Sequence, residues 1–204
     1  MFSAFKTIQA GGNELQDRAE FFWLGSNLVL VVADGAGGMS GGAEAADFVV
    51  RGIRRTINST NLNPQGICDL LTNIDQEMAG IGAYGETTCV VLVASDNNII
   101  GASVGDSGAW VIREDALDNL TEYQHRKPFL GSGRAIPTGF SRGKLQGTLF
   151  VASDGLLKYT SPEKIAAAAR IPNLEQAAQG LVNLVRYSSG ALPDDVSILL
   201  ARPS

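Results

Sequence analysis

Four aspartates stand at the ends of short apolar runs, where carboxylates could be gathered around a cation. Asp34 follows the run 28–33 and opens Asp34-Gly35-Ala36-Gly37-Gly38. Asp106 follows 99–105 and leads into Ser107-Gly108, while Asp154 follows 149–153 and precedes Gly155-Leu156. Asp194 sits in Pro193-Asp194-Asp195, ahead of the apolar run 196–200. Apolar runs of this length beside glycine read as buried strands. Carboxylates at the ends of neighbouring buried strands repel one another unless a cation neutralises them. An oxygen-only donor set suits Mg²⁺ or Mn²⁺ better than zinc. The residues therefore point to a metal-dependent hydrolytic site.

The elements that must position these groups can be read in outline. The first part of the chain is β-rich, with strands over 2–8, around Phe21-Phe22-Trp23 and, after a Gly25-Ser26-Asn27 turn, over 28–33. A helix is expected over 43–57, where Ala45, Ala46, Val49, Val50, Ile53 and Ile57 share one face. A second is expected over 64–79, with Pro64 in its first turn. Strands resume over 87–94 and 99–104, joined by Ser95-Asp96-Asn97-Asn98, and again over 109–112. The stretch 124–146, interrupted by Gly131, Gly133, Pro137, Gly139 and Gly143, reads as a long surface loop of the kind that borders a site. A strand over 148–153 is followed by a helix opening at Ser161-Pro162-Glu163 and another capped by Asn173 with Gln176. A last strand covers 196–201. Strands with one helix pair after Asp34 and another after Asp154 predict an α+β layered domain.

Length and composition fit a single domain over 1–204. The net charge of −5, with no basic run, argues against a nucleic-acid partner. No stretch is long and apolar enough for a membrane span, and the N-terminus lacks a signal-like segment, so a cytoplasmic location is expected. A monomer is the expected state. Cys68 and Cys89 are widely spaced and read as buried structural thiols, with a disulfide or a nucleophile as the lesser alternative.

Taken singly, each Asp-Gly pair could be only a turn. In combination they resemble the metal-dependent type 2C serine/threonine protein phosphatases, and the resemblance spans nearly the whole chain in motif order. Gln16-Asp17-Arg18 is similar to the family's early acidic motif and Asp34-Gly35-Ala36-Gly37-Gly38 to its first metal motif. Gly85-Glu86-Thr87-Thr88, Val104-Gly105-Asp106-Ser107 and Ala152-Ser153-Asp154-Gly155-Leu156 follow, and Pro193-Asp194-Asp195-Val196-Ser197 resembles the terminal motif. The resemblance implies a central β-sandwich of two antiparallel sheets flanked by helix pairs, a four-layer αββα arrangement. It also implies hydrolysis of phosphoserine and phosphothreonine in proteins, in the bacterial style, with Mn²⁺ or Mg²⁺ as cofactor.

Carried over by position, Asp34 would bridge two ions and Gly35 would offer its carbonyl to one of them. Asp154 and Asp194 would complete the other site. Asp106 would hold a third, weaker ion together with Asp154, and Asp17 would orient a coordinated water. Ions sharing a water would lower its pKa and offset charge on the phosphoryl and leaving oxygens, so no nucleophilic side chain is needed. That agrees with a chain whose one histidine is His125 and whose cysteines lie outside the motifs.

The chain departs from the family pattern in three places. Gly12 stands where many members carry a phosphate-binding Arg, leaving Arg18, Lys127, Arg134 and Arg142 as replacements to consider. Arg18 beside Asp17 would point to the opposite face if both lie on a strand. Ala36 stands where many eukaryotic members have a His proposed as general acid, with His125 as a remote substitute. Gln16 replaces the usual early acid, and Asp195 replaces the Asn after the last metal aspartate, as an outer ligand or an exposed group. These changes keep two alternatives open: a weakly active or inactive relative that binds phosphoproteins, and a hydrolase of small phosphate esters.

Overall fold

The apolar runs lack polar alternation because both faces of their strands are covered, as the computed structural model of the chain shows. It describes residues 1–36, 41–82 and 84–204. In chain order come β1 (Phe2–Gln9), β2 (Arg18–Leu24), β3 (Asn27–Ala33), α1 (Gly42–Thr56) and α2 (Pro64–Ile81). Then follow β4 (Cys89–Ala94), β5 (Asn98–Val104), β6 (Gly108–Ile112), β7 (Leu117–Asn119), β8 (Thr138–Gly143) and β9 (Thr148–Ala152). The chain closes with α3 (Asp154–Leu157), α4 (Pro162–Ala169), α5 (Leu174–Asn183) and β10 (Val196–Pro203).

The strands make two antiparallel five-stranded sheets, ordered β1-β10-β9-β6-β7 and β2-β3-β4-β5-β8. Side-chain alternation along each strand feeds two cores. Leu28, Leu30 and Val32 of β3, with Val90 and Leu92 of β4, fill the space between the sheets and meet Val151 and Leu199 from the other side. Val29 and Val31, with Val91 and Val93, face outward onto Val49, Ile53, Ile67, Leu71 and Ile74 of α1 and α2. On the opposite outer face, Phe150, Ile198 and Leu200 pack under Ile165, Ala178, Leu181 and Val182 of α4 and α5. Each fully buried Val, Leu or Ile contributes about 1.5–3 kcal/mol, so these three apolar layers hold the four-layer αββα stack together. Among the described residues no helix is long and apolar enough to cross a membrane.

The helix starts follow the expected caps. Asn63 Oδ1 accepts from the Gly66 amide at 2.9 Å ahead of Pro64, and Asn173 Oδ1 accepts from Gln176 at 2.9 Å. The stretch 124–146 is only in part the expected surface loop: 124–137 is irregular and brings Lys127 and Phe129 to the cleft, but the rest departs from that expectation. Its second half is β8, an edge strand paired with β5 from Ser103↔Thr138 to Asn98↔Gly143. Its first half is pinned inward: Leu130 is buried and exchanges both backbone hydrogen bonds with Thr87 at 3.0 Å. Asp75, wholly buried on α2, accepts from the amides of Gly131, Gly133 and Ala135 at 2.7, 3.0 and 2.9 Å. The glycines that suggested a loop instead supply left-handed turns, with φ of +99° at Gly131 and +70° at Gly133. The strand expected over 87–94 begins at Cys89, and Thr87 is a lone bridge between Gly35 and Leu130. Cys89 is buried and Cys68 half-buried, and neither is in a disulfide.

Candidate functional site

The register of the sheets carries the four aspartates to one end of the molecule. In one sheet, Arg18↔Ala33 pairing sets Asp17 beside Asp34, and Cys89↔Val104 pairing brings Thr88 next to the turn that holds Asp106. In the other, Ala152↔Ile198 and Gly108↔Ala152 pairing put Asp154, Asp194 and Ser107 at the same edge. Asp17, Asp34, Gly35, Asp106, Asp154 and Asp194 all line a single cleft of about 710 Å³. Gly37 and Gly38 of the first Asp-Gly motif lie outside the described residues.

Each carboxylate is fixed through its backbone. The Asp34 carbonyl accepts from the Thr88 amide at 2.9 Å and the Thr87 hydroxyl at 2.8 Å, and its amide donates to Thr88 Oγ1 at 3.2 Å. Thr88 Oγ1 is tied to Ser107 Oγ at 2.8 Å, which links the Asp34 and Asp106 turns. The paired threonines thus clamp Asp34 without touching its carboxylate. Ser153 and Ser197 do the same between β9 and β10: the Ser197 amide donates to Ser153 Oγ at 3.0 Å and the Ser153 amide to the Ser197 carbonyl at 3.0 Å.

Asp195 corrects one expectation, since it is buried rather than exposed, and its carboxylate is already satisfied by amides. Oδ1 accepts from Gly11 at 2.8 Å, and Oδ2 accepts from Gln16 at 2.6 Å and Asp17 at 3.4 Å. It folds the 11–17 segment over the site. That approach leaves no room for side chains: a Cβ on Gly11 would lie 2.2 Å from the Asp194 carbonyl carbon, and one on Gly155 2.0 Å from the Asp195 oxygen.

The electrostatics are those of crowded carboxylates. Burial, then repulsion from Asp17, Asp154, Asp106 and Asp194, raises the Asp34 pKa from 3.8 to about 9. Burial raises Asp17 to about 6; the nearby Ser153 and Ser197 hydroxyls offset part of this, and Asp195 and Asp154 add to it. Asp17 Oδ2 is nevertheless left buried without a well-directed hydrogen bond. Asp154 is raised by burial, opposed by its ion pair with Lys158, and raised further by Asp106 and Asp194.

An orphaned buried carboxylate oxygen and a neighbour that ionises only at high pH are what hard divalent cations relieve. Among the described residues no three acidic, imidazole or thiol side chains converge closely enough to enclose one ion. The oxygen-only donors that line the cleft, carboxylates with the Gly35 carbonyl, suit Mg²⁺ or Mn²⁺.

Of the four cations considered for the place of Gly12, Lys127 alone lines the cleft, with its Nζ 5.4 Å from the Phe129 ring centroid. Arg18 turns back to the carbonyls of Leu15 and Asp17 at 3.0 and 2.8 Å. Arg142 pairs with Asp118 at 2.7 Å, and Arg134 does not line the cleft. His125 is exposed and outside the cleft lining, whereas Ala36 lies in it. Lys158 is the site residue that sequence reasoning passed over. It follows Asp154 by one helical turn, and that i,i+4 spacing was the available signal.

Residues 7–181 match the family model described as protein phosphatase 2C. A curated relative, the serine/threonine protein phosphatase PstP of Mycobacterium tuberculosis, is 25% identical over 211 residues, covering 85% of this chain and 40% of its own length. The chain thus spans less than half of that relative. A bacterial serine phosphatase superposes with a TM-score of 0.86 at 20% identity, over 98% of this chain and 97% of its own. The catalytic domain of PstP in complex with two manganese ions superposes with a TM-score of 0.82, also at 20% identity, with 98% and 97% coverage. These superpositions establish the shared fold.

Proposed function

This chain belongs to the protein phosphatase 2C family, and from that premise we propose that it hydrolyses phosphoserine and phosphothreonine in proteins at the carboxylate cleft, with Mn²⁺ or Mg²⁺ as cofactor. The observation that carries the reading is Asp34, half-buried at the cleft among Asp17, Asp106, Asp154 and Asp194 with its pKa near 9. Asp34 and the Gly35 carbonyl, with Asp154 and Asp194, would hold two ions. When bound, such ions lower the pKa of a coordinated water and offset charge on the phosphoryl oxygens. Asp17 would orient that water through its unpaired Oδ2. Lys127, which lines the same cleft, would meet the substrate phosphate. With Ala36 in the cleft, the leaving oxygen would take its proton from solvent.

The substrate class is supported by the relative's designation as a serine/threonine protein phosphatase. Action in the cytoplasm as a monomer, with 1–204 as one catalytic domain, completes the proposal. A second reading, hydrolysis of small phosphate esters, is favoured by one observation: no side chain fills the space around Gly12. Comparing kcat/KM in Mn²⁺ for a phosphothreonine peptide, p-nitrophenyl phosphate and a phosphodiester separates the two. The proposal expects the phosphopeptide to be preferred. Turnover of the small ester or diester with none of the peptide would overturn it.

A further inference from the structure

The acidic cluster already carries paired positive charge at the edge formed by Asp106 and Asp154. Lys158 Nζ pairs with Asp154 Oδ2 and lies 3.8 Å from Asp106 Oδ2. Arg126 closes on that same Asp106 oxygen at 2.7 Å from the solvent side. Among the described residues, Asp17, Asp34 and Asp194 have no such cationic partner. The two neutralised carboxylates are those that the family pattern would assign to a third, weaker ion. An ion entering between them would have to displace the lysine and sit beside the arginine, gaining less from carboxylates that are already compensated.

We propose that Lys158, backed by Arg126, stands in for a third divalent ion at the Asp106–Asp154 edge, so that the centre takes up two ions. The proposal rests on the metal-dependent reading above. Lys158 is suited to this by position: it springs from the helical turn that Asp154 opens, so its stem and the carboxylate move as one unit. With Asp106 and Asp154 it lines both the main cleft and an adjoining hollow of about 290 Å³. Its side chain is 47% exposed, so replacing it leaves the packed layers intact.

The test is the number of Mn²⁺ ions taken up per chain, by equilibrium titration calorimetry on the wild type, Lys158→Ala and Lys158→Arg. Two ions are expected for the wild type and for Lys158→Arg, which keeps the charge. Lys158→Ala should gain a third, bound about tenfold or more tightly than any further uptake by the wild type. Three ions bound alike by the wild type and Lys158→Ala would overturn the proposal, as would only two in Lys158→Ala. A folded wild type and folded Lys158→Ala that both take up none would overturn the metal-dependent reading as well, which sets that failure apart.

Discussion

Gly12 borders the cleft where a longer side chain could reach a bound phosphate, and nothing lies within 4 Å of a Cβ built there. A guanidinium binds phosphate through paired, charge-assisted hydrogen bonds. Gly12→Arg is therefore expected to lower KM for a phosphothreonine peptide about tenfold, roughly 1.4 kcal/mol, with little change in kcat. Steady-state kinetics check this, and an unchanged or higher KM would show that the Gly12 position does not face the phosphate. At this scale the aspartates were legible because each stands at one end of a short, mainly apolar run, Asp34, Asp106 and Asp154 after theirs and Asp194 ahead of its own. Lys158 and Asp195 were not, because a charge beside a motif reads as solvated until tertiary contacts show what it touches. Asp195 accepts amides from Gly11 and Gln16, nearly the whole chain away.

Among the elements, the 124–146 stretch shows where local reading stops. Glycine and proline mark chain reversals, yet they do not say whether those reversals are anchored. Here three amides converge on Asp75, and Leu130 is paired through Thr87 to the turn that holds Asp34. One sequence signal was present. Asp75 lies four residues after Leu71 and next to Ile74 on the buried side of α2, a position where a lone charge needs partners. Strand β8 had no comparable signal, because Gly139 and Gly143 dilute its alternation and its register is set by β5. Asp75→Ala would strand three amide donors and is expected to cost about 3 kcal/mol or more. Denaturant unfolding measures it, and a midpoint equal to that of the wild type would contradict the anchoring role. The helix pairs and buried strands were legible because their periodicities, 3.6 and uninterrupted apolar, match their covered faces.

For the whole molecule, two sheets that end together concentrate acidic charge at one edge. A carboxyl whose folded pKa exceeds its unfolded value binds more protons when folded, so stability falls as pH rises through that interval. For Asp34 the interval runs from 3.8 to about 9, and for Asp17 from 3.8 to about 6. The metal-free protein is therefore expected to melt at a lower temperature at about pH 8 than at about pH 5, and Mn²⁺ should raise Tm more at the higher pH, where fewer protons compete. Scanning calorimetry in chelator and in Mn²⁺ tests both signs; a metal-free Tm that rises over this range would refute the assignment. On this reading the carboxylate edge is a metal-dependent phosphatase centre. Its most direct test is hydrolysis of a phosphothreonine peptide by the wild type and by Asp34→Asn, each in Mn²⁺ and in chelator. Turnover by the wild type in Mn²⁺ alone, lost in a folded Asp34→Asn, is the predicted result. Full activity of Asp34→Asn, or of the wild type in chelator, would contradict it.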